Sequence, residues 1–289
     1  MITPNREEVI ENIKKALADG RFNDKVEVGD PVFDAKKRKK VLRKFLRSRK
    51  SLSFKFRNFA ALRVYDLYTA KRNQNTLIEG LEKIKDIKGG AIITSNHFNP
   101  DENSVIRYLG QKVKKGRVFI VLQDTNLGMT GLFGFFMNNV DSIPISPDVE
   151  YTKKYFDKLL GKALKKKRYV LIYPEQEMWF NYRKPRPPKR GPYFFAANHK
   201  VPVISCFVEI RELPKLEADN FHETQYVLHV LDPIYPDPDK NARENSIEMA
   251  KKDYAQKVEA YEKAYGKKLT YDFEQWDIAG WDPGAVKEN

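Results

Sequence analysis

Two short stretches of this chain place titratable side chains where an apolar run ends. In the first, Gly89-Gly90-Ala91-Ile92-Ile93-Thr94 runs into Ser95-Asn96-His97-Phe98-Asn99-Pro100-Asp101-Glu102. An imidazole stands at the exit, with carboxylates four and five residues later. A histidine titrates near pH 6.5 (about), and a carboxylate on one ring nitrogen frees the other to take a proton from a hydroxyl. The group such a hydroxyl would attack is an acyl carbonyl, with no protein nucleophile needed. The plainer reading is a His-Asn pair that caps a helix. In the second stretch, Leu171-Ile172-Tyr173 runs into Pro174-Glu175-Gln176-Glu177, followed by Arg183, Lys184, Arg186, Lys189 and Arg190 among three prolines. Cations after a strand end suit a phosphate. The alternative is a solvated proline-rich loop.

Other chemistries lack their residues. The four histidines, His97, His199, His222 and His229, show no i, i+3 or i+4 pairing, so no metal site is expected. No phosphate-binding glycine loop and no nucleophile elbow occur. The single cysteine, Cys206, lies in the apolar run VPVISCFV and reads as core. One cysteine excludes a disulfide framework and suits a reducing compartment.

The elements that would carry these residues alternate. Strands are predicted at 91–94, 118–122, 142–145, 169–173, 201–207 and 225–230. Helices are predicted at 103–114, 130–138, 149–166 and 192–199. This alternation predicts an α/β fold, a single sheet flanked by helices. A short amphipathic helix is expected at 5–18, a charged one at 242–265 with Met249, Tyr254, Val258 and Tyr261 along one stripe, and a frayed tail from 280. The expected organisation is an N-terminal helical region over 1–75, the α/β domain over 76–240, and a C-terminal helix and tail over 241–289 packed on it.

The 289-residue chain carries a net charge of +14. All of it belongs to residues 36–72, which hold 15 basic residues and one acid, Asp66; the remainder sums to zero. In this stretch Val41, Leu42, Phe45 and Leu46 recur at helical spacing between Lys36, Lys37, Arg38, Lys39, Lys40, Arg43, Lys44 and Arg47. A basic amphipathic helix suits an anionic membrane surface, where each Lys or Arg contributes about 1 kcal/mol. Nucleic acid is the competing partner, but no recognised reading module accompanies the charge, and nucleic-acid binding is not expected. No apolar run reaches the roughly 18–20 residues of a membrane span, and the N-terminus has no secretory h-region. The expected location is cytoplasmic, peripheral on the inner face of the membrane.

In order, these blocks resemble the glycerolipid acyltransferases, the lysophospholipid or 1-acylglycerol-3-phosphate acyltransferases. Asn96-His97 through Glu102 aligns with the family's NHxxxxD, and Tyr173-Pro174-Glu175-Gln176 with its FPEGTRS. Lys189-Arg190-Gly191 aligns with the basic pair and glycine that follow, and Val201-Pro202-Val203-Ile204 with VPIVPV. The resemblance covers about residues 89–210. It implies a fatty acyl transfer from acyl-CoA or acyl carrier protein to a hydroxyl of a lysolipid acceptor, in phospholipid biosynthesis, without metal or cofactor. His97 would be the general base, oriented by Glu102, the choice by register, or by Asp101. Asn96, Glu175, Arg183, Lys184, Arg186, Lys189 and Arg190 would form the acceptor site. Trp179, Phe180 and Tyr182 would line the acyl path, sit at the bilayer interface or simply pack. The chain departs from the family in lacking two arginines: Gln176-Glu177-Met178 replaces Gly-Thr-Arg, and the block from Gly131-Leu132-Phe133-Gly134 to Ser146 does not end in Arg. These losses leave the acceptor head group open and admit a non-catalytic, lipid-binding relative as the alternative.

Overall fold

The computed structural model describes residues 5–115 and 117–287. Its centre is one seven-stranded sheet in the order β1-β7-β6-β2-β5-β3-β4. The strands are β1 Leu77–Glu79, β2 Ala91–Thr94, β3 Val118–Gln123, β4 Ser142–Ile145, β5 Tyr169–Leu171, β6 Val203–Ala218 and β7 Phe221–Val230. All neighbours are parallel except β6 and β7. The central strands β2 and β5 are buried along their whole length, which is why they read as unbroken apolar runs. β6 and β7 outrun the expected 201–207 and 225–230. Past Ile210 they form a ribbon of half-exposed, charged residues, where no apolar run marks a strand. The three-residue edge strand β1 has no sequence signal of its own.

The helices are α1 Arg6–Ala18, α2 Ala35–Ser48, α3 Leu52–Arg72, α4 Asn103–Lys112, α5 Gly131–Asn139, α6 Val149–Tyr151, α7 Asp157–Lys165, α8 Gly191–Asn198 and α9 Ala242–Tyr265. A π-helical turn, Thr152–Phe156, joins α6 to α7, so the expected helix 149–166 is one rod with a widened turn. The basic helical region 35–72 is two helices. Ser51 caps α3 by accepting the Phe54 N–H at 3.1 Å, which restarts the helix after a break at Arg49–Ser51. α9 begins with a capping box, Asn241 and Glu244, and stops at left-handed Gly266. Met249 and Tyr261 of its predicted stripe are buried, whereas Tyr254 and Val258 are half-buried.

One core lies between the sheet and α4, built from Ile93, Val105, Ile106, Leu109 and Leu171. Cys206 is buried there, and burial pushes its thiol to about 12, so it is inert. The opposite core takes Leu160 and Leu164 of α7, Tyr193 of α8, Met249 of α9 and Leu42 of α2. α1 packs elsewhere: Val9, Ile10 and Ile13 share a core with Trp179, Phe180, Tyr182, Phe221 and Ile278. The tail is not frayed through residue 287. Trp281 bridges to Phe221 and the Lys287 N–H donates to Asp219 at 2.9 Å; Glu288 and Asn289 lie outside the described residues. Among the described residues no helix is long and apolar enough to cross a membrane.

Candidate active site

β2 and β5 are parallel neighbours, with Ala91 opposite Tyr169 and Ile93 opposite Leu171. Their loops therefore leave the same edge of the sheet side by side, the usual place for ligand sites in open parallel sheets. His97 comes from the β2 loop; Tyr173 and Glu175 come from the β5 loop. The two loops are stitched together by Trp179 N–H to His97 C=O at 3.0 Å and Asn181 N–H to Phe98 C=O at 2.7 Å.

Glu102, at the start of α4, is the carboxylate that holds His97. Its Oε1 lies in hydrogen-bond contact with His97 Nδ1. Its Oε2 accepts the N–H groups of Phe98 and, at 2.8 Å, of Asn99. The loop thus folds back on the carboxylate four and five residues later, and Glu102 is buried. This contact makes Nδ1 the protonated nitrogen and leaves Nε2, with no hydrogen-bond partner among the described residues, as the basic one. The imidazole retains 20% exposure. Asp101 points elsewhere: it pairs with Arg72 Nε of α3 at 3.1 Å. Burial raises its pKa above the usual aspartate range despite the Tyr68 and Arg72 contacts. Of the two carboxylates left open by the spacing, only Glu102 reaches the imidazole.

The expected acceptor residues divide sharply. Asn96 is buried and faces β6, donating to Val208 C=O at 3.0 Å and accepting Val208 N–H at 2.8 Å. Glu175 is also buried and stands behind His97, accepting the His97 N–H at 3.1 Å and the Arg186 N–H at 2.9 Å. Arg186 is spent on the framework. It pairs with Glu175 at 2.9 Å, donates to Phe22 C=O at 2.9 Å, to His97 C=O at 3.3 Å and to Glu177 C=O, and stacks on Trp179. Arg183 pairs with Glu212 and lies on Trp276. Lys184 Nζ is held by Asp277 and the Asp272 carbonyl, each at 2.8 Å. Against the expectation of acceptor ligands, Asn96, Arg183, Lys184 and Arg186 are buried groups engaged by the protein itself, although Arg183 Nε closes no hydrogen bond. Of the five cations, only Lys189 and Arg190 are exposed.

Trp179, Phe180 and Tyr182 are fully buried against α1, which settles them as packing. Gln176, where the resembled family has glycine, adopts φ 68, a left-handed conformation that glycine takes without steric cost. Of the predicted docking residues, Lys36, Lys37, Lys39, Lys40, Arg43, Lys44 and Arg47 are exposed along α2. Arg38 is the exception; it pairs with buried Asp124 at 2.9 Å and fastens α2 to the domain. α3 carries an exposed apolar stripe. Leu52, Phe56, Phe59, Val64 and Leu67 are exposed, as are Leu132, Phe133 and Phe135 of α5, and Tyr65 of α3 packs against Phe136. The 52-56-59-67 spacing carries the stripe. Tyr173 was missed. Its ring is parallel to the His97 imidazole, 3.9 Å between centroids and 6° between planes. Matching the two strand exits would have found it.

No group of three or more His, Cys, Asp or Glu side chains among the described residues is placed to hold a metal. Residues 75–209 match the family model described as Acyltransferase. His97 and Glu102 both lie within this matched stretch, which is similar to acyltransferase domains. A solved structure of similar outline is the 1-acyl-sn-glycerophosphate (LPA) acyltransferase, PlsC, from Thermotoga maritima; 17% of aligned residues are identical, 80% of this chain and 89% of that chain are covered, and the TM-score is 0.47. No curated protein matches the chain.

Proposed function

We propose that the enzyme transfers a fatty acyl group from an acyl thioester, carried by coenzyme A or acyl carrier protein, to the hydroxyl of a lysophospholipid-like acceptor. The observation that carries this reading is the His97–Glu102 pair at the strand exit, with Nδ1 engaged and Nε2 open. Nε2 takes the proton as the acceptor oxygen attacks the thioester carbonyl. The Glu102 carboxylate then faces an imidazolium rather than a neutral ring, so its attraction grows as charge develops. Collapse of the tetrahedral intermediate expels the thiolate, which takes the proton from His97. No acyl-enzyme is required, and no metal or cofactor takes part in this scheme.

The reaction would take place at a membrane, on the cytoplasmic side. Seven exposed cations on α2 offer attraction to anionic head groups, and the apolar stripe on α3 and α5 offers residues to seat in the interface. Lys189 and Arg190 are the cations free to meet an acceptor phosphate.

The test is His97→Ala, assayed with acyl-CoA and acyl-carrier-protein donors against a panel of lysolipids. Turnover should fall by about 10²–10⁴-fold, the usual worth of a general base, with the fold intact by circular dichroism. Undiminished turnover would remove His97 from the mechanism.

A further inference from the structure

Tyr173 stands at the exit of β5 as His97 stands at the exit of β2, and the two rings lie face to face. The Tyr173 hydroxyl is buried and closes no hydrogen bond. Burial, with the charge of Glu102 added, pushes the phenol well above its ordinary range, so it stays a neutral O–H donor. The charged or titratable groups around the imidazole are Glu102 at Nδ1, Tyr173 on its face, Glu175 and Arg186 at its backbone N–H and C=O, and Glu27 and Arg107 farther off.

We propose that Tyr173 is a positioning residue for His97: its ring, parallel to the imidazole at 3.9 Å between centroids, fixes the plane of the base. This rests on the general-base reading of His97.

Two variants of the full chain test it. Tyr173→Phe keeps the stack, and kcat should stay within about twofold of wild type. Tyr173→Leu removes the ring; kcat should fall about tenfold with KM nearly unchanged, because misalignment acts on the chemical step. Wild-type kcat in Tyr173→Leu, or an equal fall in Tyr173→Phe, overturns the fixing of the ring. If Tyr173→Leu does not fold, Tyr173→Met is read in the same way. His97→Ala separates the two readings: turnover kept in His97→Ala removes the base itself, whereas an inactive His97→Ala with wild-type kcat in Tyr173→Leu overturns only the role of the ring.

Discussion

Glu175 and Arg186 form a fully buried ion pair that lies behind the His97 loop, gripping its backbone from both sides. The two charges that the sequence suggests for holding a substrate hold the backbone of His97, the proposed base, instead. The arrangement shifts the search for acceptor ligands to the exposed cations Lys189 and Arg190.

The first prediction concerns the neighbouring carboxylates. Glu102→Gln should lower kcat by about 10²-fold or more, since the amide no longer compensates an imidazolium. Asp101→Asn should leave the pH profile of kcat/KM in place and cost about 1–2 kcal/mol of stability, through loss of the charge-assisted bond to Arg72. Steady-state kinetics with urea unfolding of both variants separates the roles. Equal kinetic losses would contradict the geometry.

Lys184 should matter for folding rather than for acceptor affinity. Its partner Asp277 is entirely buried, so Lys184→Met leaves a carboxylate unpaired at a cost of about 3–5 kcal/mol. The melting temperature should drop by many degrees while the acceptor KM of the folded fraction is unchanged. A raised KM at wild-type stability would return Lys184 to the acceptor site.

The exposed face of α2 should govern attachment to anionic vesicles. Replacing Lys36, Lys39, Lys40 and Arg43 together by Gln should weaken binding to phosphatidylserine-rich vesicles about 10²-fold or more, at about 1 kcal/mol per cation. Phe56→Ser with Leu67→Ser should weaken the residual binding that persists at high salt, because it removes the apolar component that salt does not screen. Sedimentation with vesicles measures both; if neither changed, the docking face would lie elsewhere.

Glu209 links stability to acid. Burial pushes its pKa up, but hydrogen bonds from His229 and Arg211 outweigh burial and hold it below the usual glutamate range. Between that lowered value and about 4.5, the unfolded chain binds more protons than the folded one. The contribution of Glu209 is therefore complete above pH 4.5 (about) and drains away as pH falls through the folded pKa. Glu209→Gln should flatten the stability curve in that window, read by chemical denaturation at several pH values. A slope identical to wild type would assign acid sensitivity to other carboxylates.

The meeting of His97 with Glu102 at a strand exit was readable because its cause is local. β2 and β5 are short, wholly buried and rich in Ile, Val and Leu, and the five-residue return from His97 to Glu102 is a property of one loop. The cations were misread for the opposite reason. Arg183 and Lys184 look solvated in a proline-rich run, and nothing nearby in sequence announces Glu212, Asp277 or the Trp276 ring. A charge's role is set by its partner, and those partners arrive from β6 and from beyond α9. The charged ribbon of β6 and β7 escaped because alternating salt bridges and half-exposed residues lack the apolar run that marks a central strand. The α3 stripe has helical spacing, but spacing alone does not say whether a stripe faces a core or a bilayer.

Trp179 Nε1 donates to Asp24 C=O, Arg186 to Phe22 C=O, and Asn23 Nδ2 to Glu175 C=O and Pro187 C=O, 152 and 164 residues along the chain. At ribosomal speeds of about 5–20 residues per second, that separation is roughly 8–30 s of synthesis. During that interval the apolar face of α1 has no Trp179, Phe180 or Tyr182 to cover it. Completion of the candidate site is thereby tied to a long-range closure, the kind of contact that slows folding because its loop entropy is met before the contact forms.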